Sequence, residues 1–328
     1  MLGDLRKACF LAVFVIAGCS ADDGGSAGSG GGGGAAGASV GGAAGSAAGG
    51  AAGSTSGGAA GTAAGGTSAG GSAGASSGGT SAGGSGGSGT GGSGTGGGAG
   101  AAALPTLGSL VVLGDSMSDG GGIGPFYYNL LQQDLKTKYG AINYKNNAQS
   151  GSKTSALSGQ IKNLQATLPG PVAVCITSGG NDMKAELAAI VLGADGPARA
   201  TMGANISAAL DALLAPGRFG AGVAVHVFEA NIYDASDGQG NFSANNCAFG
   251  KGLPAIPTGT FFANWNGEIA KQVGAKQQWV ADIHGLFGNH GFNHPPSWYA
   301  SDCTHPNTTG HDQLRRYFYF KITGQNLP

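Results

Sequence analysis

Charge is the scarcest property of this chain: its 328 residues include only 16 Lys and Arg against 17 Asp and Glu. Two of the former and three of the latter precede Gly24, so Leu104 to Pro328 carries 14 of each and no net charge. That excludes the basic footprint of a nucleic-acid-binding protein, and no nucleic-acid partner is expected. Between Gly24 and Ala103 charge vanishes altogether, and every residue is Gly, Ala, Ser or Thr except Val40. Such a segment has too little apolar surface to offset its ordering entropy. Its glycines cancel the helix preference of alanine, and without a fixed period it is not a stacked-repeat domain. We read 19–103 as a flexible tether with a span of roughly 50 Å on Gly/Ser-chain scaling. Long apolar runs are also missing. Ala8 to Ala17 is too short to cross a bilayer as a helix, and no second such run follows.

That short run has the form of an export signal, with Arg6 and Lys7 ahead of an apolar centre. It closes on Ile16-Ala17-Gly18-Cys19, which resembles the lipobox of bacterial lipoproteins. The resemblance implies removal of residues 1–18 and lipid attachment to Cys19, so that the lipid is the only membrane contact. Ser20 after the cysteine implies sorting to an outer membrane or cell surface. Export makes a disulfide permissible. Of the three later cysteines, Cys175 lies in the apolar "PVAVCIT" and reads as a buried strand residue. Cys247 and Cys303 both lie in polar loop sequence and are the favoured pair among three possible pairings.

The 225 residues from Leu104 onward suffice for one domain with a substantial core. Short apolar runs predict strands at Ser109–Leu113, Ala141–Tyr144, Val172–Thr177, Val223–Phe228 and Gln278–Ile283. Helical spacing separates them: Leu157, Ile161, Leu164 and Leu168 share one face, as do Phe262, Trp265, Ile269 and Val273. Further helices are predicted over Phe126–Tyr139, Met202–Leu214 and Thr308–Ile322. The alternation predicts an α/β fold, a three-layer α/β/α sandwich around a mainly five-stranded parallel sheet. In such folds function gathers in the loops beyond the carboxyl ends of the strands.

The first of those loops begins "GDSMSDGGG". Gly-Asp-Ser alone is ordinary turn chemistry. A nucleophilic Ser116 needs a base, a group to orient the base, and donors for an oxyanion. "SDCTHPNTTGH" supplies Asp302 and His305, three apart, which one helical turn would place on the same face. A carboxylate there accepts from one imidazole nitrogen and leaves the other free for a hydroxyl. "SGGND" offers the Asn181 amide, with Asp182 expected to shape its turn, and "NNAQSGSKT" offers the Gly151 backbone N–H. The G-x-S-x-G elbow is missing, because Ser118 stands where the second glycine belongs.

These blocks, in this order and each after a predicted strand, resemble the SGNH hydrolases, also called the GDSL family. The likeness runs through nearly the whole of 104–328, and Met117 replaces the leucine of the family's name. It implies the flavodoxin-like SGNH form of the sandwich and a serine esterase without cofactor or metal. Ser116 would be the nucleophile, His305 the base and Asp302 its orienting carboxylate. Ser116 N–H, Gly151 N–H and the Asn181 side chain would form the oxyanion hole.

His284, His290 and His294 crowd a Gly/Pro/Asn-rich loop without the cysteine or carboxylate pattern of a metal site, and are read as solvated or hydrogen-bonded. His311 is expected to pack or bond within the last helix. Tyr233, Phe242, Trp298 and Tyr299 stand among amides in the late loops, a composition that suits sugar rings. The expected substrate is a short-chain acyl ester, small or polysaccharide-borne, acted on by a monomer. A lipase or acyltransferase of the same fold, and a non-catalytic glycan-binding module, are the competing readings.

Overall fold

The computed structural model describes residues 100–245, 247, 254–256 and 258–327. The expected signal peptide, Cys19 and the tether up to residue 99 lie outside the described residues. Five strands, β1 (Ser109–Gly114), β2 (Asn143–Asn146), β3 (Val172–Thr177), β4 (Val225–Ala230) and β5 (Trp279–Ala281), pair in the order β2-β1-β3-β4-β5, all parallel. Every residue of β1 and β3 is buried, as a parallel strand covered on both faces requires.

Alternation along β1 assigns its side chains to two layers. Leu110 and Val112 join a core closed by α1 (Tyr127–Tyr139) and α8 (Thr308–Thr323) through residues such as Leu131, Leu135, Leu314 and Phe318. Val111 and Leu113 join the opposite core, where α2 (Leu157–Lys162), α5 (Gly196–Leu214) and α6 (Gly259–Ala275) contribute Ile161, Leu210, Trp265 and Ile269. The fold is therefore the expected three-layer α/β/α sandwich. α8 starts cleanly because the Asn307 side chain accepts from the Gly310 N–H, satisfying a donor that the first turn cannot.

β3 matches its expected bounds. β2 and β4 start two residues later than their apolar runs, and β4 continues through Glu229 to Ala230. α2 stops at Lys162, yet Leu164 and Leu168 remain buried on an irregular segment whose Leu168 N–H donates to Phe219 O. Three short helices fall in stretches read as loop or strand end: α3 (Gly180–Ala185), α4 (Leu187–Val191) and α7 (Ile283–Phe287). Cys247 is bonded to Cys303, and Cys175 is a free thiol buried in β3. Among the described residues, no helix is long and apolar enough to cross a membrane.

The sheet order places a switch point between β1 and β3. After β1 the chain crosses one face by α1 to reach β2; it then returns over the other face by α2 to β3. Loops leaving β1 and β3 thus diverge around a crevice at the carboxyl edge. At the opposite edge the chain enters beside the last turn of α8, where Ala102 N–H donates to Lys321 O and Leu104 N–H to Ile322 O.

Candidate active site

β1 ends where it leans onto β3. Gly114 has φ +119°, and a Cβ there would lie 1.9 Å from Thr177 O, so only glycine fits. Gln160, from α2, reads both sides of this residue: its Oε1 accepts the Gly114 N–H at 2.8 Å and its Nε2 donates to Gly114 O at 2.8 Å. Ser152 Oγ donates to the same carbonyl at 2.9 Å. Asp115 then caps a 3-10 turn over Ser116–Ser118, its Oδ1 accepting from Met117 N–H. Thr177 Oγ1 donates to the same Oδ1. Since Thr177 has one hydroxyl proton, the neighbouring hydroxyls align as Tyr127 to Ser118 (2.6 Å) and Ser118 to Thr177 (2.7 Å). Burial pushes the Asp115 pKa up to about 6, against the hydrogen bonds from Met117 and Thr177.

Ser116 emerges from this buried network and its Oγ lies 2.7 Å from Nε2 of His305. Nδ1 of His305 is 2.6 Å from Asp302 Oδ2. A carboxylate only accepts, so Nδ1 carries the proton and Nε2 presents a lone pair to the Ser116 hydroxyl. Asp302 and His305 are in a turn, not on the helical turn that their spacing first implies. The Asp302 Oδ1 accepts the backbone N–H groups of Thr304 and His305, both at 2.9 Å. The carboxylate thus folds its own loop around the imidazole it holds. Partial burial works to raise the Asp302 pKa, but the His305 backbone and ring donors and Thr304 N–H outweigh it and hold it below the usual value. Cys303, between the two residues, takes the left-handed φ +57° and carries the bond to Cys247. The Tyr233 hydroxyl donates to Thr304 O.

Asn181 opens α3 just beyond β3. Its Nδ2 donates to Ser152 O at 2.9 Å, leaving its second amide proton available. Ser116, Asn181 and His305 line one cavity of about 90 Å³, whose other walls include Met183, Ile232, Phe262 and Ile283. Gly151 does not line it; it sits exposed at φ +76° in the loop after β2, next to Ser152. Asp182 does not shape the Asn181 turn as expected. It instead clamps the loop after β2, accepting from Thr154 N–H and Oγ1 at 2.8 and 2.7 Å.

Sequence reasoning missed Gln160, Ser152 and Glu229. Glu229 on β4 is fully buried and accepts from Ser178 Oγ at 2.9 Å, and its Oε2 has no partner among the described residues. Burial pushes its pKa up to about 8. The crowded histidines separate: His284 Nδ1–H donates to Ile232 O, His290 stacks on Trp298 at 3.6 Å, and His294 meets Asp237. Among the described residues, no group of three His, Cys, Asp or Glu is placed to hold a metal ion. The late-loop aromatics are largely spent on one another, Tyr233 against Phe287 and Tyr299, and Phe242 against Phe292. Tyr233 and Phe242 also line the cavity that holds Ser116 and His305.

The model of the GDSL-like lipase/acylhydrolase family matches residues 112–313, from within β1 to within α8. The chain belongs to that family. No curated protein matches it. Among solved structures it is similar to a lipase from a goat rumen metagenome, at 19% identity over 65% of this chain and 98% of that one, with TM-score 0.47. It is also similar to an acetylxylan esterase from Geobacillus stearothermophilus, at 15% identity over 67% and 96% of the two chains, with TM-score 0.45. An extracellular lipase from Streptomyces rimosus gives 21% identity over 64% and 98%, with TM-score 0.43.

Proposed function

We propose that this GDSL hydrolase is a serine carboxylic-ester hydrolase acting on short-chain acyl esters through an acyl-enzyme on Ser116. The observation that carries the reading is the continuous relay from Ser116 Oγ through His305 to Asp302, at 2.7 and 2.6 Å, opening into a cavity. Ser116 Oγ attacks the ester carbonyl carbon while His305 Nε2 takes the hydroxyl proton, and Asp302 stabilises the imidazolium. The resulting oxyanion is received by the Ser116 N–H and the Asn181 amide; Gly151, outside the cavity lining, is left without a part in this step. Each such donor is worth about 3–4 kcal/mol in the transition state. His305 then returns its proton to the leaving alkoxide. Water, deprotonated by the same nitrogen, hydrolyses the acyl-enzyme and restores Ser116.

Cavity size supports a short acyl group. An apolar cavity of about 150 Å³ takes up a benzene, and this one is about 90 Å³. We further propose that the protein is exported and held to the cell envelope by lipid on Cys19, with acetylated carbohydrate as a substrate within reach of the tether.

The test is the initial rate of the full chain and its Ser116→Ala variant on p-nitrophenyl esters from acetate upward, and on acetylated oligosaccharides. Serine-dependent turnover that is greatest on short chains supports the reading. A preference for long chains, or acyl transfer to an added alcohol in place of water, points to the lipase or acyltransferase. A folded protein with no serine-dependent turnover that still retains polysaccharide overturns the reading in favour of a binding module.

A further inference from the structure

His311 is fully buried in α8, six residues beyond His305. It packs there as expected, and its Nε2 lies 3.0 Å from Gly121 O, outside its own helix. A carbonyl only accepts, so Nε2 carries the proton, and Nδ1 has no partner among the described residues. Phe126 meets the ring edge-on at 5.3 Å, and Tyr127 lies nearly parallel to it at 6.3 Å. A buried imidazole with one nitrogen unsatisfied is a costly way to fill space. Its one hydrogen bond is therefore the feature to explain.

Gly121 connects both members of the reacting pair. Its N–H donates to the carbonyl of Ser116 itself at 2.7 Å. It also lies so close to His305 that a Cβ would come within 2.4 Å of Cδ2 and 2.8 Å of Nε2. The glycine is a wedge touching the nucleophile's backbone on one side and the base's ring on the other. His311 supplies the hydrogen bond to its carbonyl.

We propose that His311 is a positioning residue: its neutral Nε2–H donor holds Gly121 against His305, so that His305 Nε2 stays aimed at Ser116 Oγ. The inference rests on the reading that Ser116 and His305 perform the hydrolysis. Burial, and the charge of His305 when it is protonated, push the His311 pKa down to about 4. The donor therefore stays uncharged through turnover and adds no second cation beside the transient imidazolium. Lysine or arginine could reach the same carbonyl but would oppose that charge.

The experiment uses the full chain with His311→Leu, His311→Gln, His311→Asn and Gly121→Ala. Each variant is measured for kcat and KM on p-nitrophenyl acetate, for circular dichroism, and for the downfield proton resonance of His305 Nδ1–H, identified by its loss in His305→Ala. Gln places an amide nitrogen where Nε2 stands, whereas Asn places it near Nδ1. His311→Leu and His311→Asn should lower kcat at least tenfold with KM within twofold, and shift or broaden the Nδ1–H line. His311→Gln should return kcat to within threefold of the parent. Gly121→Ala, with His311 intact, should reproduce the kcat loss in a folded protein. Parent-level kcat in His311→Leu overturns the proposal, as does equal loss in the Gln and Asn variants. Ser116→Ala separates the two levels: if it retains turnover, the reading of Ser116 and His305 as the reacting pair fails; if it is inactive while His311→Leu is not, only the role of His311 does.

Discussion

Ser116 stands at the end of a strand with no exposed residue, and α2, the loop after β2 and β3 all reach in to fix the backbone beside it. Asp302 and His305 stand on a surface turn, their side chains 43% and 23% exposed, and the turn is anchored by Tyr233, the Cys247 bond and its own Asx hydrogen bonds. One half of the relay is thus held by the core and the other by a loop. The difference teaches where the two kinds of fragility lie. Damage around Ser116 should therefore register in folding, whereas damage around His305 should register in rate.

Asp302→Asn is the largest expected departure. It keeps the shape of the turn but offers the ring a wrong tautomer, so kcat should fall about 10³–10⁴-fold. The melting temperature should hardly move, because the residue is half exposed. A melting transition that collapsed with the rate would erase the contrast between the halves. Asn181→Ala comes next, with a loss of about 10²–10³-fold in kcat if its free amide proton meets the oxyanion. Reducing the disulfide, or replacing both Cys247 and Cys303 by Ser, should cost about 2–4 kcal/mol of stability. The rate should fall with it, since Cys303 sits between the two working residues; a variant losing stability alone would mean that Asp302 organises the turn unaided.

Gln160→Leu probes the other half. It strands the buried Gly114 N–H, at a cost of about 1–3 kcal/mol, and chemical denaturation should report that loss with a comparatively small change in kcat. Glu229→Gln is the subtlest and has a sign. The Glu229 pKa is raised on folding from 4.5 to about 8, so between those values the unfolded chain has shed a proton that the native protein retains. Native stability from this group is full below about 4.5 and declines toward pH 8. The variant should gain on the parent steadily across that window and no further above it. A melting-temperature difference independent of pH would show that Glu229 does not titrate as described.

The elements were legible wherever burial wrote a simple pattern. Val172–Thr177 is a continuous apolar run covered on both faces, and its bounds follow directly from the sequence. β2 is an edge strand of Asn, Tyr, Lys and Asn with half-buried residues, so the apolar signal favoured the preceding Ala141 and Ile142. β4 carries a buried acid that no hydrophobic pattern admits. Leu164 and Leu168 kept helical spacing on chain that is not helical, because burial alone sets the spacing there. At the site, the relay residues were visible through their chemistry and order. Their supports were not: Gln160 reaches Gly114 across 46 residues, and His311 reaches Gly121 across 190. Contacts of side chains with distant backbone leave no periodicity in a sequence, and a glutamine on a helix face reads as solvent-facing until the fold closes over it.

The path of the chain into the domain has a practical consequence. It enters at Ala102 beside the last turn of α8, at the edge where β1 begins, and Ser116 lies beyond the far end of that strand, about 20 Å away. Both ends of the folded unit therefore sit on the pole away from the cleft. A bead, surface or fused protein attached ahead of Ala102 or behind Leu327 would grip the molecule by its base and leave the reacting face pointing outward, open to large polymeric esters.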